Sequence, residues 1–137
     1  MSDPLYRKEI LRLAADAHGA GHLRGVHAIG TAHNPACGDK VTFEVAVDNG
    51  RIAALAHETK ACVLSQASAA ILGRDAKGLS RADVEALRKD VVALLTGSAA
   101  PSPPFDSYAA FEGVAGHRNR HACVLLPIDA LLAALND

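Results

Sequence analysis

Residues 41–60 constrain the fold of this 137-residue chain more than any other stretch. Val41-Thr42-Phe43-Glu44-Val45-Ala46-Val47 alternates apolar and polar side chains, the period of a half-buried strand. Asp48-Asn49-Gly50 follows, and Asn-Gly accepts the positive φ of a tight hairpin turn at little cost. Residues 51–59 return as the partner strand. A further strand over about 23–32 completes a small three-stranded antiparallel sheet.

Helical patterns flank that sheet. Residues 4–18 carry Leu5, Ile10, Leu11, Leu13, Ala14 and Ala17 at helical spacing, and the glycines of His18-Gly19-Ala20-Gly21-His22 end the run. A second helix is predicted over 62–72, closed by Gly73. Ser80, with Asp83 three residues on, caps a third over 81–95. Residues 97–104 form a proline-rich loop too short to separate two domains, so 1–137 reads as one domain. Residues 105–114 suggest a short helix. A last helix runs from about 121 to 135, and Pro127 is tolerated only near a first turn, which places its start close to Cys123.

Bulk properties exclude several roles. The net charge is -1 and no basic stripe exists to neutralise phosphates, so nucleic acid is not an expected partner. No apolar run is long enough to span a bilayer, and the first twelve residues do not read as a signal segment. A cytoplasmic protein is the expectation. Three cysteines, an odd number, fit a reducing compartment.

Those cysteines carry the chemistry. Cys37 lies in Asn34-Pro35-Ala36-Cys37-Gly38-Asp39, a turn holding a thiol and a carboxylate two residues apart, able to face one ion. Cys62 opens a predicted helix, where unpaired N–H groups and the helix dipole favour a thiolate. Cys123, in Arg118-Asn119-Arg120-His121-Ala122-Cys123, also stands near a helix start in an electropositive setting. Taken singly, each is as readily a small buried hydrophobe. Ser65 and Ser68 are weaker signals, equally readable as a helix contact. Together, Cys37, Asp39, Cys62 and Cys123 make a four-donor set for a thiophilic metal or cluster. Sulfur-rich sites suit zinc or iron–sulfur chemistry. Zinc accepts a carboxylate as fourth ligand, whereas clusters usually take four thiolates. One oxygen ligand should loosen a cluster, a property useful to a protein that gives its cluster away. None of the seven histidines belongs to a helical zinc motif such as His-Glu-x-x-His. His33 and His121 lie near cysteines and could serve as spare ligands or proton carriers.

Asn34-Pro35-x-Cys37-Gly38-Asp39, then Cys62-x-x-Ser65-x-x-Ser68, then Arg120-x-x-Cys123-x-x-Leu126-Pro127 resembles the iron–sulfur cluster assembly scaffolds of the NifU N-terminal/IscU type. The long interval between Cys62 and Cys123 is similar to the SufU-type branch. The resemblance covers nearly the whole chain. It implies an α+β, SufE/NifU-like fold with helices packed on one face of the antiparallel sheet. It implies Cys37, Asp39, Cys62 and Cys123 as ligands of zinc or of a nascent [2Fe-2S] cluster or iron, with Arg120 as a basic auxiliary residue. The implied partners are a SufS-type cysteine desulfurase and apo-protein cluster acceptors. Ala122 stands where the IscU branch has histidine, Ala61 where glycine is usual, and Ile128 where tryptophan is common. The chaperone-recognition sequence Leu-Pro-Pro-Val-Lys is absent.

Three readings follow. The first is a scaffold that assembles and passes on a cluster. The second is a zinc-dependent sulfurtransferase in which Cys37 accepts a persulfide and the desulfurase is activated. The third is a structural zinc module. All of them need the four donors to converge on one centre.

Overall fold

The computed structural model describes residues 7–25, 28–35 and 38–135. Its centre is the predicted hairpin. Strands β2 (Asp39–Asp48) and β3 (Arg51–Lys60) pair antiparallel across Asn49 and Gly50, whose φ angles of 52° and 74° give the turn the hand that matches strand twist. Strand β1 (Ala28–Asn34) pairs antiparallel with the other edge of β2, giving the order β1-β2-β3.

Val41, Phe43 and Val45 point to one face of β2 and are fully buried. That face is covered by α2 (Val63–Asp75), which packs on β3, and α4 (His121–Ala134), which packs on β1 and β2. Helix α1 (Lys8–Asp16) lies on α2, and α3 (Arg81–Leu95) lies on α4. A 3₁₀ helix, Phe105–Val114, fills the space against α3 and α2. The fold is therefore α+β, with helices on one face of a three-stranded antiparallel sheet. Each buried Val, Leu, Ile or Phe side chain of the core contributes about 1.5–3 kcal/mol on leaving water, against about 1 kcal/mol or less for an exposed pair such as Arg81–Glu85. Apolar packing thus decides where the helix ends lie. Among the described residues no helix is long and apolar enough to cross a membrane.

The capping box at the start of α3 is formed in both directions between Ser80 and Asp83. Elsewhere the sequence expectations shift. Strand β1 begins at Ala28 rather than near 23. Residues 22 and 23 are instead drawn across the other sheet face, where the buried Glu44 carboxylate accepts from Leu23 N–H at 2.9 Å and pairs with His22 Nδ1 at 2.7 Å. Val47, on the expected apolar side of β2, is exposed because the register shifts between Ala46 and Val47. Helix α2 does not stop at Gly73 but continues to Asp75. The glycine serves close packing instead. A Cβ there would collide with the His18 carbonyl oxygen and lie 2.6 Å from its carbon. Pro127 lies in the middle of α4 rather than near its first turn. The backbone group it leaves unpaired is answered from another helix, as described below.

Candidate metal centre

Asp39 is positioned by the turn that joins β1 to β2. Gly38 adopts φ 72°, a conformation that glycine takes without strain. Its N–H donates to the Asn34 carbonyl at 2.9 Å, and Asn34 faces Asp39 across the ladder. Asp39 so becomes the first residue of β2. It is buried, and its Oδ2 has no hydrogen-bond partner among the described residues. Cys37 lies outside the described residues.

Cys62 is the N-cap of α2, in extended backbone (φ -64°, ψ 169°), and its side chain makes no capping hydrogen bond. Cys123 is the third residue of α4 and is 1% exposed. Both are free thiols. Helices α2 and α4 pack on the same sheet face, which brings their N-terminal tips to the end of the sheet where β2 starts. One carboxylate oxygen of Asp39, Cys62 Sγ and Cys123 Sγ all lie within 4.8 Å of one another. Among the described residues no histidine joins that cluster. His121 Nε2–H donates to the Ala115 carbonyl at 3.1 Å, and His33 is exposed on β1. Arg120 is partly exposed and immediately precedes α4, three residues before Cys123.

The Cys62 thiol is drawn down to about 6, first by a hydrogen bond from Cys123. Burial opposes this, and the N–H groups of Ser65 and Leu64 at the helix tip assist it. The Ser65 hydroxyl has one proton, and it is committed to the Cys123 carbonyl at 2.7 Å. Its 3.9 Å approach to Cys62 Sγ is the longer contact. The stronger local stabilisers of a Cys62 thiolate are therefore Cys123 and the backbone.

This donor set suits a thiophilic cation. A buried carboxylate oxygen with no partner is costly unless a cation completes it. Ligands about 2.3 Å from a tetrahedral ion lie about 3.8 Å apart, so a 4.8 Å cluster has the dimensions of a single-ion site with three of its donors in hand. Cys37, two residues before Asp39, is the candidate for the fourth.

Around the cluster the sequence reading missed one participant. Ser68 donates to the Val124 carbonyl at 2.8 Å and meets the Tyr108 hydroxyl at 2.9 Å. Tyr108 is fully buried, and burial pushes its phenol well above the ordinary range. A hydroxyl-bearing aromatic inside the apolar 105–114 segment was the available signal, since a buried tyrosine hydroxyl seeks a partner.

The protein is thus an α+β domain with two helix-tip thiols and a strand-start carboxylate gathered at one end, a donor set that could hold a metal ion. Residues 5–133 match the NifU-like N terminal domain, and the chain belongs to that family. It is 27% identical over 132 residues to the iron–sulfur cluster assembly scaffold protein IscU of Streptococcus pyogenes serotype M1, covering 96% of this chain and 82% of that protein. Its fold superposes with a TM-score of 0.91 on a nitrogen-fixing NifU-like protein (N-terminal) from Brucella abortus, at 32% identity, covering 98% of this chain and 94% of that one. A putative SUF-system scaffold, FiSufU of Fervidobacterium islandicum AW-1, shares the fold at a TM-score of 0.86 and 24% identity, covering 98% and 99%.

Proposed function

We propose that this chain is an iron–sulfur cluster assembly scaffold. It receives sulfur from a cysteine desulfurase, of the SufS kind, and holds iron or a nascent [2Fe-2S] cluster for transfer to apo-protein acceptors in the cytoplasm. The cluster is cargo, held by Asp39, Cys62, Cys123 and Cys37, with Arg120 as the basic residue beside them. One observation carries this reading: a carboxylate oxygen and two sulfurs from three distant elements lie within 4.8 Å, and the carboxylate has a buried oxygen without a hydrogen-bond partner among the described residues. A site built for permanent retention would favour sulfur throughout. The oxygen donor supports a cargo that leaves.

The compactness of the same cluster supports a second reading, a zinc-dependent persulfide sulfurtransferase that activates the desulfurase. Three donors this close suit one ion better than a binuclear cluster. Here zinc stays bound and Cys37 is the persulfide acceptor.

Anaerobic incubation of zinc-free protein with desulfurase, cysteine and ferrous iron separates the two. The scaffold reading expects visible sulfur-to-iron charge-transfer bands, and their loss in Cys62→Ala and Cys123→Ala. A colourless product, with zinc-loaded protein stimulating desulfurase turnover, would overturn it in favour of the second reading.

A further inference from the structure

We propose that Ser65 is a positioning residue that sets the separation of the Cys62 and Cys123 sulfurs by holding the Cys123 carbonyl. The proposal rests on the metal-site reading above. In an α-helix the carbonyl of residue i accepts from the N–H of residue i+4. For Cys123 that residue is Pro127, which has no N–H. Pro127 sits inside α4, so the Cys123 carbonyl is left without its helical donor at the level of the thiol. Ser65 supplies the proton from α2 at 2.7 Å, and both residues are buried.

The placement of that bond matters. Ser65 is three residues after Cys62, on the same side of the first turn of α2. The bond therefore joins the helix that carries one thiol to the residue that carries the other. One turn further along α2, Ser68 donates to the next carbonyl of α4, that of Val124, at 2.8 Å. Ser68 in turn meets the Tyr108 hydroxyl. Two hydroxyls on one face of α2 thus hold two consecutive carbonyls of α4. A slide of either helix by about 1 Å along the line of the bond would stretch the Ser65 contact from 2.7 Å to beyond hydrogen-bonding distance. An apolar contact would not resist such a slide as sharply, because packing is non-directional.

The competing explanation is that Ser65 merely satisfies a buried carbonyl. A second substitution separates the two. Alanine at 127 restores an N–H to the Cys123 carbonyl within α4 and so relieves the unsatisfied group, but it makes no tether between helices. The test uses the metal-stripped full chain, with zinc affinity from chelator competition, Co²⁺ absorption spectra, and urea unfolding without metal. Ser65→Ala should weaken zinc binding about 5–10-fold, the worth of one hydrogen bond, shift the Co²⁺ bands and lower stability. Ser65→Ala/Pro127→Ala should regain stability while zinc affinity and the Co²⁺ bands stay displaced. Recovery of affinity together with stability in the double variant would overturn the proposal. So would wild-type affinity in Ser65→Ala. Failure of the unmodified chain to bind either ion would instead refute the metal-site reading on which the proposal stands.

Discussion

Gly73→Ala sets two physical effects against each other. Gly73 lies inside α2, where alanine is favoured over glycine by about 1 kcal/mol because it has less backbone freedom to lose. Propensity alone therefore expects a more stable protein. Packing expects the reverse. The new Cβ would collide with the His18 carbonyl oxygen, 2.6 Å from the His18 carbon and 3.0 Å from the Gly19 Cα. Relief to ordinary contact asks the backbone at 18–19 to retreat by about 1.5 Å, and overpacking of this kind costs about 1–3 kcal/mol. That backbone is not free to move. His57 Nε2–H donates to the His18 carbonyl at 2.9 Å, His57 N–H donates to the Gly19 carbonyl at 2.9 Å, and Gly21 N–H donates to the His57 carbonyl at 3.0 Å. Stretching even one of these adds about 0.5–1.5 kcal/mol. The net expectation is destabilisation by about 1–3 kcal/mol, read from urea unfolding as a lower midpoint with unchanged slope. Gly116→Ala is the control. It has no positive φ and no atom within 4 Å of the added carbon, so it should stay within about 0.5 kcal/mol of wild type. A Gly73→Ala protein as stable as wild type, or more so, would refute the argument that close approach, not helix termination, explains this glycine.

Burial lowers the His57 imidazole below its ordinary value, so the unfolded chain binds the proton more readily than the fold does. Stability from this group is present above about pH 6.5 and is lost as pH falls toward the folded value. His57→Gln keeps a donor for the His18 carbonyl and should flatten that acid-side loss in urea midpoints taken from pH 4.5 to 7.5, at about the precision of the method; an unchanged pH slope would remove His57 as its source. His22 has the opposite sign, because Glu44 raises it by hydrogen bond and charge. Its contribution is present below about pH 6.5 and fades as pH rises through the raised value, so His22→Gln should trim stability on the acid side only. Asp39→Ala should raise the stability of metal-free protein by about 1 kcal/mol, since it removes a buried oxygen that has no hydrogen-bond partner among the described residues, and should shrink the rise in Tm that zinc produces. A metal-free Asp39→Ala protein less stable than wild type would show that the carboxylate is satisfied without a cation.

Local rules were legible wherever cause and effect lie within a few residues. The Asn49-Gly50 hairpin, the Ser80–Asp83 capping box and the place of Cys62 at the start of α2 are of this kind. Gly73 and Pro127 misled for the opposite reason. Each has the look of local punctuation, but each answers to a group far away in the chain: Gly73 to His18, and Pro127, through the Cys123 carbonyl, to Ser65. Strand β1 begins late because Glu44, on the neighbouring strand β2, draws residues 22 and 23 away from it. Ser65 and Ser68 were visible as a pair one turn apart, while their acceptors on α4 were not.

The amino-acid sequence by itself determined which donor types this chain carries, that one thiol opens a helix, and that a carboxylate follows a glycine turn. These depend on side-chain chemistry and on backbone preferences over three or four residues. Only the tertiary structure decided that Asp39, Cys62 and Cys123 meet within 4.8 Å. That distance is set by how α2 and α4 seat on the sheet, which depends on burial of apolar side chains and on hydroxyl-to-carbonyl bonds spanning more than fifty residues.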